Sequence, residues 1–312
     1  MEASSKISII IPCFNEEETL LKFKEELDQV CEQIPASFEY IFIDDGSTDN
    51  TLKILKKFNQ NNESKHHYLS FSRNFGKESS MYAGFLEATG DYIAILDADL
   101  QDPPELLITM WQMLNENNDL DTIVAQRINR DGEPFLISFF SNLFYKIINK
   151  VSKTPVINGV RDYRLSRKVV VDNIIKLSEA NRFSKGLFSW VGFNTAYITY
   201  ENRQRSAGVT KWDFMSKVRY AWSGLINFSE APLEFLIYSG AFVVIVVLFT
   251  IIFLILRQLF FHQSTDGWTS IIITILFCFG QIMISLGIIG KYISTIFLEV
   301  KNRPIFIIKD KK

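Results

Sequence analysis

Residues 95–105, ILDADLQDPPE, bring three oxygen-bearing side chains, Asp97, Asp99 and Gln101, to the end of an apolar run that starts at Tyr92. Carboxylates left uncompensated at the end of a buried strand are costly. In an extended backbone alternate residues share a face, so the three are expected to point the same way. Hard oxygen donors of this kind hold Mg2+ or Mn2+, usually through one or two carboxylates plus a substrate phosphate. Asp102 reads separately, as the N-cap of a helix that Pro103 and Pro104 start. That turn alone leaves Asp97, Asp99 and Gln101 without a task.

The chain around this segment alternates β-rich runs with helical periodicity. KISIIIP reads as a strand, and the following segment puts Leu20, Phe23, Leu27, Val30 and Cys31 on one helical stripe. EYIFIDD is a second strand, followed by a helix capped at Thr48 or Asp49; HHYLSFS, DYIAILDAD and DTIVAQ are the next strands, with helical patterns between them. Such alternation predicts an α/β domain with a three-layer, parallel sheet, in which ligands sit outside the carboxyl ends of the strands. Strand one ends in Pro12, Phe14, Asn15 and Glu16, strand two in Asp44, Asp45, Gly46 and Ser47, and strand four in Asp97, Asp99 and Gln101. Three polar clusters then converge on one edge. Neither a GxxxxGK[ST] loop nor a GxGxxG after strand one is present. What remains is a nucleotide held by base and ribose at Asp44 or Asp45, with its diphosphate on the metal.

Composition narrows the class. The 312 residues carry a formal charge of −2, which gives no reason to expect nucleic acid. Hydrophobic residues make up 47% of the chain, and the excess lies at the C-terminal end. Residues 235–256 and 267–290 contain no charge, and each stretch exceeds the roughly 20 apolar residues that span a bilayer. The short stretch between them forces a hairpin. Lys211, Lys217 and Arg219 precede it and Lys291, Lys301, Arg303, Lys309, Lys311 and Lys312 follow, while the loop offers Arg257 against Asp266. The positive-inside rule then puts the N-terminal part and the tail in the cytoplasm. Cys13, Cys31 and Cys278 are widely spaced and odd in number, and His66, His67 and His262 have no ligand spacing, so any metal is expected to be oxygen-bound. Segment 212–228 carries aromatic and aliphatic side chains on one side and Lys217 and Arg219 on another, an interfacial pattern, and 138–152 has similar spacing that fits core packing as well as membrane contact.

SIIIPCFNEEETL, FIDDGSTDNTL, SRNFGKE, DADLQDPPE, GVRDYRL and RSAGVTKW, in this order and ahead of a membrane hairpin, resemble family 2 glycosyltransferases of the polyprenyl-phosphate type. The resemblance implies a GT-A (Rossmann-like) catalytic domain over 1–208, interfacial helices over 209–231, two transmembrane helices within 232–297 (about 235–256 and 268–292) and a basic cytoplasmic tail over 298–312. It implies an inverting transfer of a hexose, glucose or N-acetylhexosamine, from a nucleotide-sugar, UDP-linked by analogy with bacterial relatives, to undecaprenyl or another polyprenyl phosphate. The expected setting is a multi-pass protein of the bacterial plasma membrane, with association into homo-oligomers. Position by position, Pro12, Phe14, Asn15, Glu16, Asp44, Asp45, Lys77, Asp97 and Ala98 fall on the nucleotide-sugar site. Asp97, Asp99 and Gln101 fall on the ligands of Mg2+ or Mn2+, and Arg127, Lys185, Arg205 and Lys211 on the phosphates of donor or acceptor. Asp162, with Asp99, falls on the catalytic position. Arg161 departs from the small residue common there, which bears on sugar specificity, and Thr210 replaces a frequent serine. A lipid phosphate is already anionic near neutral pH and hardly needs a base, so Asp162 is expected to stabilise an oxocarbenium-like sugar or to orient Arg161 or Arg164. A glycolipid synthase with a hydroxyl acceptor, which would need Asp162 as a true base, and a non-catalytic membrane scaffold are the competing readings.

Overall fold

The computed structural model describes residues 5–60, 65–127, 159–177, 179–201, 231–261 and 267–312. Arg205, Lys211, the interfacial segment before Ala231, the amphipathic stretch 138–152 and most of the loop between the apolar helices lie outside the described residues.

Eight strands form one sheet: β1 (Lys6–Cys13), β2 (Ser37–Asp44), β3 (His66–Phe71), β4 (Tyr92–Ile95), β5 (Thr122–Arg127), β6 (Val160–Arg167), β7 (Thr195–Tyr200) and β8 (Ile308–Lys311). Their order is β7-β5-β6-β4-β1-β2-β3-β8. The apolar runs read as strands because they are buried on both faces between helical layers, as parallel sheets require. On one side α1 (Leu20–Cys31), α2 (Thr51–Gln60) and α4 (Leu106–Glu116) bury Leu20, Phe23, Leu55, Met110 and Trp111. On the other, α3 (Lys77–Glu87), α5 (Lys168–Lys176) and α6 (Ser184–Trp190) bury Met81, Phe85, Val171 and Leu187.

The expected all-parallel sheet is corrected in two places. Strand β6 pairs antiparallel with both β4 and β5, and β8 pairs antiparallel with β3. Neither strand belongs to a β-α-β unit that the periodicity could reveal, and β8 comes from the tail expected to be merely basic. The chain steps from β1 out to β2 and β3 and returns to place β4 on the other side of β1, making the β1/β4 junction a topological switch point, where open sheets bind ligands.

The apolar segments form α7 (Ala231–Phe261) and α8 (Trp268–Val300), longer at both outer ends than the uncharged windows. Two helices, Ala231–Arg257 and Ile271–Val300, are long and apolar enough to cross a membrane, and neither has its apolar window buried by protein. Among the described residues these two helices fit at most a two-helix membrane anchor. Gln281 Nε2 donates to Ser239 Oγ at 2.8 Å across the pair, the kind of polar contact that joins helices where water is absent.

Candidate active site

Register places the polar strand ends level with one another. Cys13 pairs with Asp44 and Asp44 with Ser70, while Ile10 pairs with Ile95, so β1, β2, β3 and β4 end at one edge. Because β6 runs the other way, its beginning lies at that same edge. Ile95 pairs with Arg164, so Asp97, two residues past Ile95, meets Asp162, two residues before Arg164. Lys77, in the first turn of α3, joins them: its Nζ donates to Asp97 Oδ2 at 2.7 Å and to Asp162 Oδ2 at 2.6 Å. Arg127 ends β5 at this edge beside Gln126, which pairs with Val160.

The charges in this cluster oppose and support one another. Burial pushes the Asp162 carboxyl up, but Lys77, Lys185 and Arg164 outweigh it and hold the acid well below the ordinary carboxylate range. Lys77 is the converse case, with burial overcome by Asp162 and Asp97, so its ammonium is held charged. Lys185, in the first turn of α6, is pushed down by burial and by Lys77, Arg161 and Arg164, with Asp162 acting against them. A cation among cations gains from an incoming anion. Glu78 accepts from Ser184 N at 3.0 Å and from Ser184 Oγ, and burial, with the Asp162 charge, pushes its pKa up to about 7.

Three expectations are corrected here. Strand β4 stops at Ile95, and residues 97–101 form a turn in which Leu100 has φ 56°. The alternation of an extended strand therefore does not align Asp97, Asp99 and Gln101; within the turn Asp99 Oδ1 accepts from Gln101 N at 3.1 Å. Asp102 is not a helix cap, since α4 begins later, after Glu105. It is 3% exposed, pairs with Arg161 Nε at 3.2 Å and accepts from Tyr200 Oη. The Asp162 carboxylate takes its hydrogen bond from Lys77 rather than from either arginine. Arg161 turns to Asp102 and, at 3.3 Å, to Gln101 Oε1, and Arg164 lies over the Phe188 ring and donates to the carbonyls of Arg161 and Asp162.

On the β1/β2 side the structure builds a rim. Asn15, at φ 54°, accepts from Thr48 N at 2.8 Å and donates its own N–H to Ser47 Oγ; Glu16 N–H meets Thr51 Oγ1, and Glu17 Oε2 accepts from Asn50. Pro12 and Phe14 flank this rim half-buried, while Ala98 is buried in the core. Asp44, 1% exposed, spends its oxygens on Ser47 N and Ser70 Oγ, so it builds the turn rather than facing a ligand. Asp45 accepts from Phe75 N at 2.6 Å and from Gly76 N at 2.9 Å, tying the β3–α3 loop to the rim; burial pushes its pKa up to about 6. Gly46, at φ +68°, lies so near that loop that a Cβ would stand 2.4 Å from the Arg73 carbonyl carbon.

The donor set fits a divalent cation. Asp97 and Asp99 supply hard carboxylate oxygens from one turn at the ligand edge, and Lys77 occupies Oδ2 of Asp97, leaving Oδ1 outside that bridge. Gln101 Oε1 is engaged by Arg161, so it fits less well than the two carboxylates. Among the described residues no group of three His, Cys, Asp or Glu could hold a metal ion by itself. Sequence reasoning missed Glu78 and Tyr200 altogether. Only the placing of Glu78 directly after Lys77 could have signalled it.

The glycosyl transferase family 2 model matches residues 8–175. The chain is 38% identical over 307 residues to the SfII prophage-derived bactoprenol glucosyl transferase of Shigella flexneri, covering 97% of each. It is 37% identical over 310 residues to the bactoprenol glucosyl transferase of Shigella phage SfV, covering 98% of this chain and 99% of that one. An uncharacterised glycosyltransferase of Synechocystis sp. is 36% identical over 306 residues, covering 98% and 95%. Among solved structures, mannosyl-3-phosphoglycerate synthase from Rubrobacter xylanophilus aligns with a TM-score of 0.48 at 16% identity over 76% of this chain and 75% of that one.

Proposed function

The chain belongs to glycosyl transferase family 2, and from that premise we propose that it moves a hexose from a nucleotide-sugar to a polyprenyl phosphate at the cytoplasmic face of a membrane. The observation that carries this reading is the Lys77 bridge, which fixes Asp97 and Asp162 on either side of one ammonium at the ligand edge. Similarity over nearly the full length to bactoprenol glucosyl transferases supports the lipid acceptor and favours glucose, and two apolar helices supply the anchor. The basic residues flanking the hairpin favour a cytoplasmic catalytic domain.

The rim of Asn15, Glu16 and Asp45 frames the nucleoside, and UDP is the nucleotide we favour. Asp97 and Asp99, with Gln101 as a weaker third donor, would hold Mg2+ or Mn2+, and the ion would supply neutralisation of the charge growing on the leaving diphosphate. Lys77 keeps Asp97 from swinging away. Asp162 is ionised and a poor base at neutral pH, since an effective base needs a pKa near the working pH. Its fixed negative charge instead faces the sugar as positive charge develops there. Lys185 and Arg127 receive the acceptor phosphate, which is itself the nucleophile and has no proton to lose. A hydroxyl-bearing lipid acceptor would require Asp162 to take a proton, and the cations around it argue against that.

The test is to incubate membranes containing the protein with radiolabelled nucleotide-sugars and undecaprenyl phosphate, extract with solvent, and count the lipid phase. Label should enter from one sugar nucleotide, and Asp99→Ala should abolish it. Transfer by Asp99→Ala at the wild-type rate would refute the placement of the metal and donor.

A further inference from the structure

The chain does not simply run out after its second apolar helix; it returns to the catalytic domain and grips it twice. Helix α8 ends at Val300, and Asn302 at φ 46° turns the backbone back, a left-handed helix stop. The first grip is Glu299 in the last turn of α8. Its carboxylate accepts from Ala180 N at 3.0 Å and from Asn181 N at 3.3 Å, in the connection between α5 and α6. The second is the segment 306–312. Strand β8 covers the open edge of β3, with Tyr68 and Lys312 exchanging N–H···O bonds of 3.0 and 3.1 Å and Ser72 N donating to Ile307 O at 3.0 Å. Phe306 stacks on Phe71 with ring centroids 5.0 Å apart and meets the edge of Tyr82.

Both grips lead to the same connection. Tyr82 carries the Arg182 guanidinium 4.2 Å above its ring, and Arg182 in turn donates to the carbonyls of Ile174 and Leu177. Two residues further on, Ser184 is fastened to Glu78, the neighbour of Lys77, and Lys185 stands in the field of Asp162. The end of the membrane helix is thus linked by backbone and side-chain contacts to the cation expected to meet the acceptor.

We propose that residues 299–311 are a positioning strap: through Glu299 and Phe306 they fix residues 179–185, and with them Lys185, relative to the membrane helices. This rests on the function proposed above, because the strap matters only where the acceptor is held in a bilayer. A short polyprenyl phosphate in free solution reaches Lys185 from any height. An acceptor whose chain is buried in lipid presents its phosphate at one depth, and the strap holds the cation at that depth.

The experiment compares Glu299→Ala, Phe306→Ala and Glu299→Gln with the wild-type full chain in vesicles. Acceptors are undecaprenyl phosphate in the bilayer and a ten-carbon, water-soluble prenyl phosphate. Both alanine variants should lower kcat/KM for the bilayer acceptor at least tenfold and change the soluble acceptor less than twofold, and Glu299→Gln, which keeps one acceptor oxygen, should recover part of the loss. Equal losses on the two acceptors, or none on either, would overturn the strap. Should the wild-type protein transfer sugar to neither acceptor, the function proposed above fails, and the strap is then judged by deuterium exchange. Amides 180–181 must exchange faster in Glu299→Ala and amides 308–311 faster in Phe306→Ala; unchanged protection overturns the inference.

Discussion

Glu78 makes the stability of the catalytic domain depend on pH in a calculable way. Its carboxyl is pushed from an ordinary 4.5 to about 7, first by burial and then by the Asp162 charge, against the bonds from Ser184 and the charge of Lys77. The folded protein therefore keeps this proton over a range where the unfolded chain has already released it. Stability from this source is complete below about pH 4.5, falls as pH rises toward 7, and is level beyond. Each tenfold difference in acidity is worth about 1.4 kcal/mol, so the gap amounts to roughly 3 kcal/mol as an upper bound. The side chain keeps some contact with water, and solvent screening trims the figure to about 2 kcal/mol. For a domain of this size that corresponds to about 4–8 °C in melting temperature. Glu78→Gln is neutral at every pH and removes the slope. Tryptophan-fluorescence melts in detergent at pH 5, 6, 7 and 8 should show the wild-type value starting near that of Glu78→Gln and falling below it as pH rises, while the contribution of Asp45, common to both proteins, cancels in the difference. Parallel melting curves with a constant offset would refute the reasoning. Asp162→Asn, by removing the second cause, should flatten the wild-type slope in part.

The pH–rate profile should carry no limb from Asp162 between pH 5 and 8, because its carboxyl is already ionised; the acid limb, near about pH 6, belongs to the acceptor phosphate. Asp162→Asn should then lower kcat about 10²–10³-fold without moving that limb, and a limb that vanishes with the substitution would restore Asp162 as a base. Gly46→Ala combines a strained φ of +68° with a 2.4 Å approach to the Arg73 backbone, so it should cost more than the ~1–3 kcal/mol of a left-handed residue alone and show as poor folding by limited proteolysis. Asp102→Asn leaves Arg161 without its carboxylate partner, with a loss of at most about 3–5 kcal/mol read as a lowered melting temperature.

What the sequence revealed follows how local each signal is. The stripe Leu20, Phe23, Leu27, Val30 and Cys31 is the buried face of α1 residue for residue, because helical periodicity is written within a dozen positions. The two uncharged windows mark α7 and α8 for the same reason, and miss their outer ends because Glu234, Arg257, Lys291 and Glu299 interrupt the charge-free run without interrupting the helix. Strand pairing is not local. Nothing in GVRDYRL states that it runs against β4, and nothing in FIIKDK states that it closes the β3 edge. Asp44 shows the opposite failure: an acidic residue at a strand end looks like a ligand, yet its oxygens are consumed by Ser47 and Ser70. Composition cannot separate a carboxylate that builds a turn from one that faces a substrate, since both sit at the same kind of position.

The antiparallel course of β6 is what the chemistry depends on. In an all-parallel sheet the residues entering a strand lie at the edge opposite to those leaving it. Asp162 is the third of the eight residues of β6 and lies five positions before its end, so in a parallel strand ending at the same edge it would stand about 17 Å from that edge, at roughly 3.3 Å per residue. No lysine side chain spans that distance. Reversing the strand brings its entry to the ligand edge and lets Lys77, from a helix on one face, reach both carboxylates at 2.6–2.7 Å. Register matters as much as direction, because a slip of one residue turns every side chain of a strand to the other face. In such a slip Arg161 or Tyr163 would stand where Asp162 does, and Lys77 would lose its second partner. The pairing of Ile95 with Arg164, with Tyr163 anchored to the Pro104 carbonyl at 3.0 Å, is therefore part of the arrangement proposed for catalysis, although none of these three touches substrate in the reading given above.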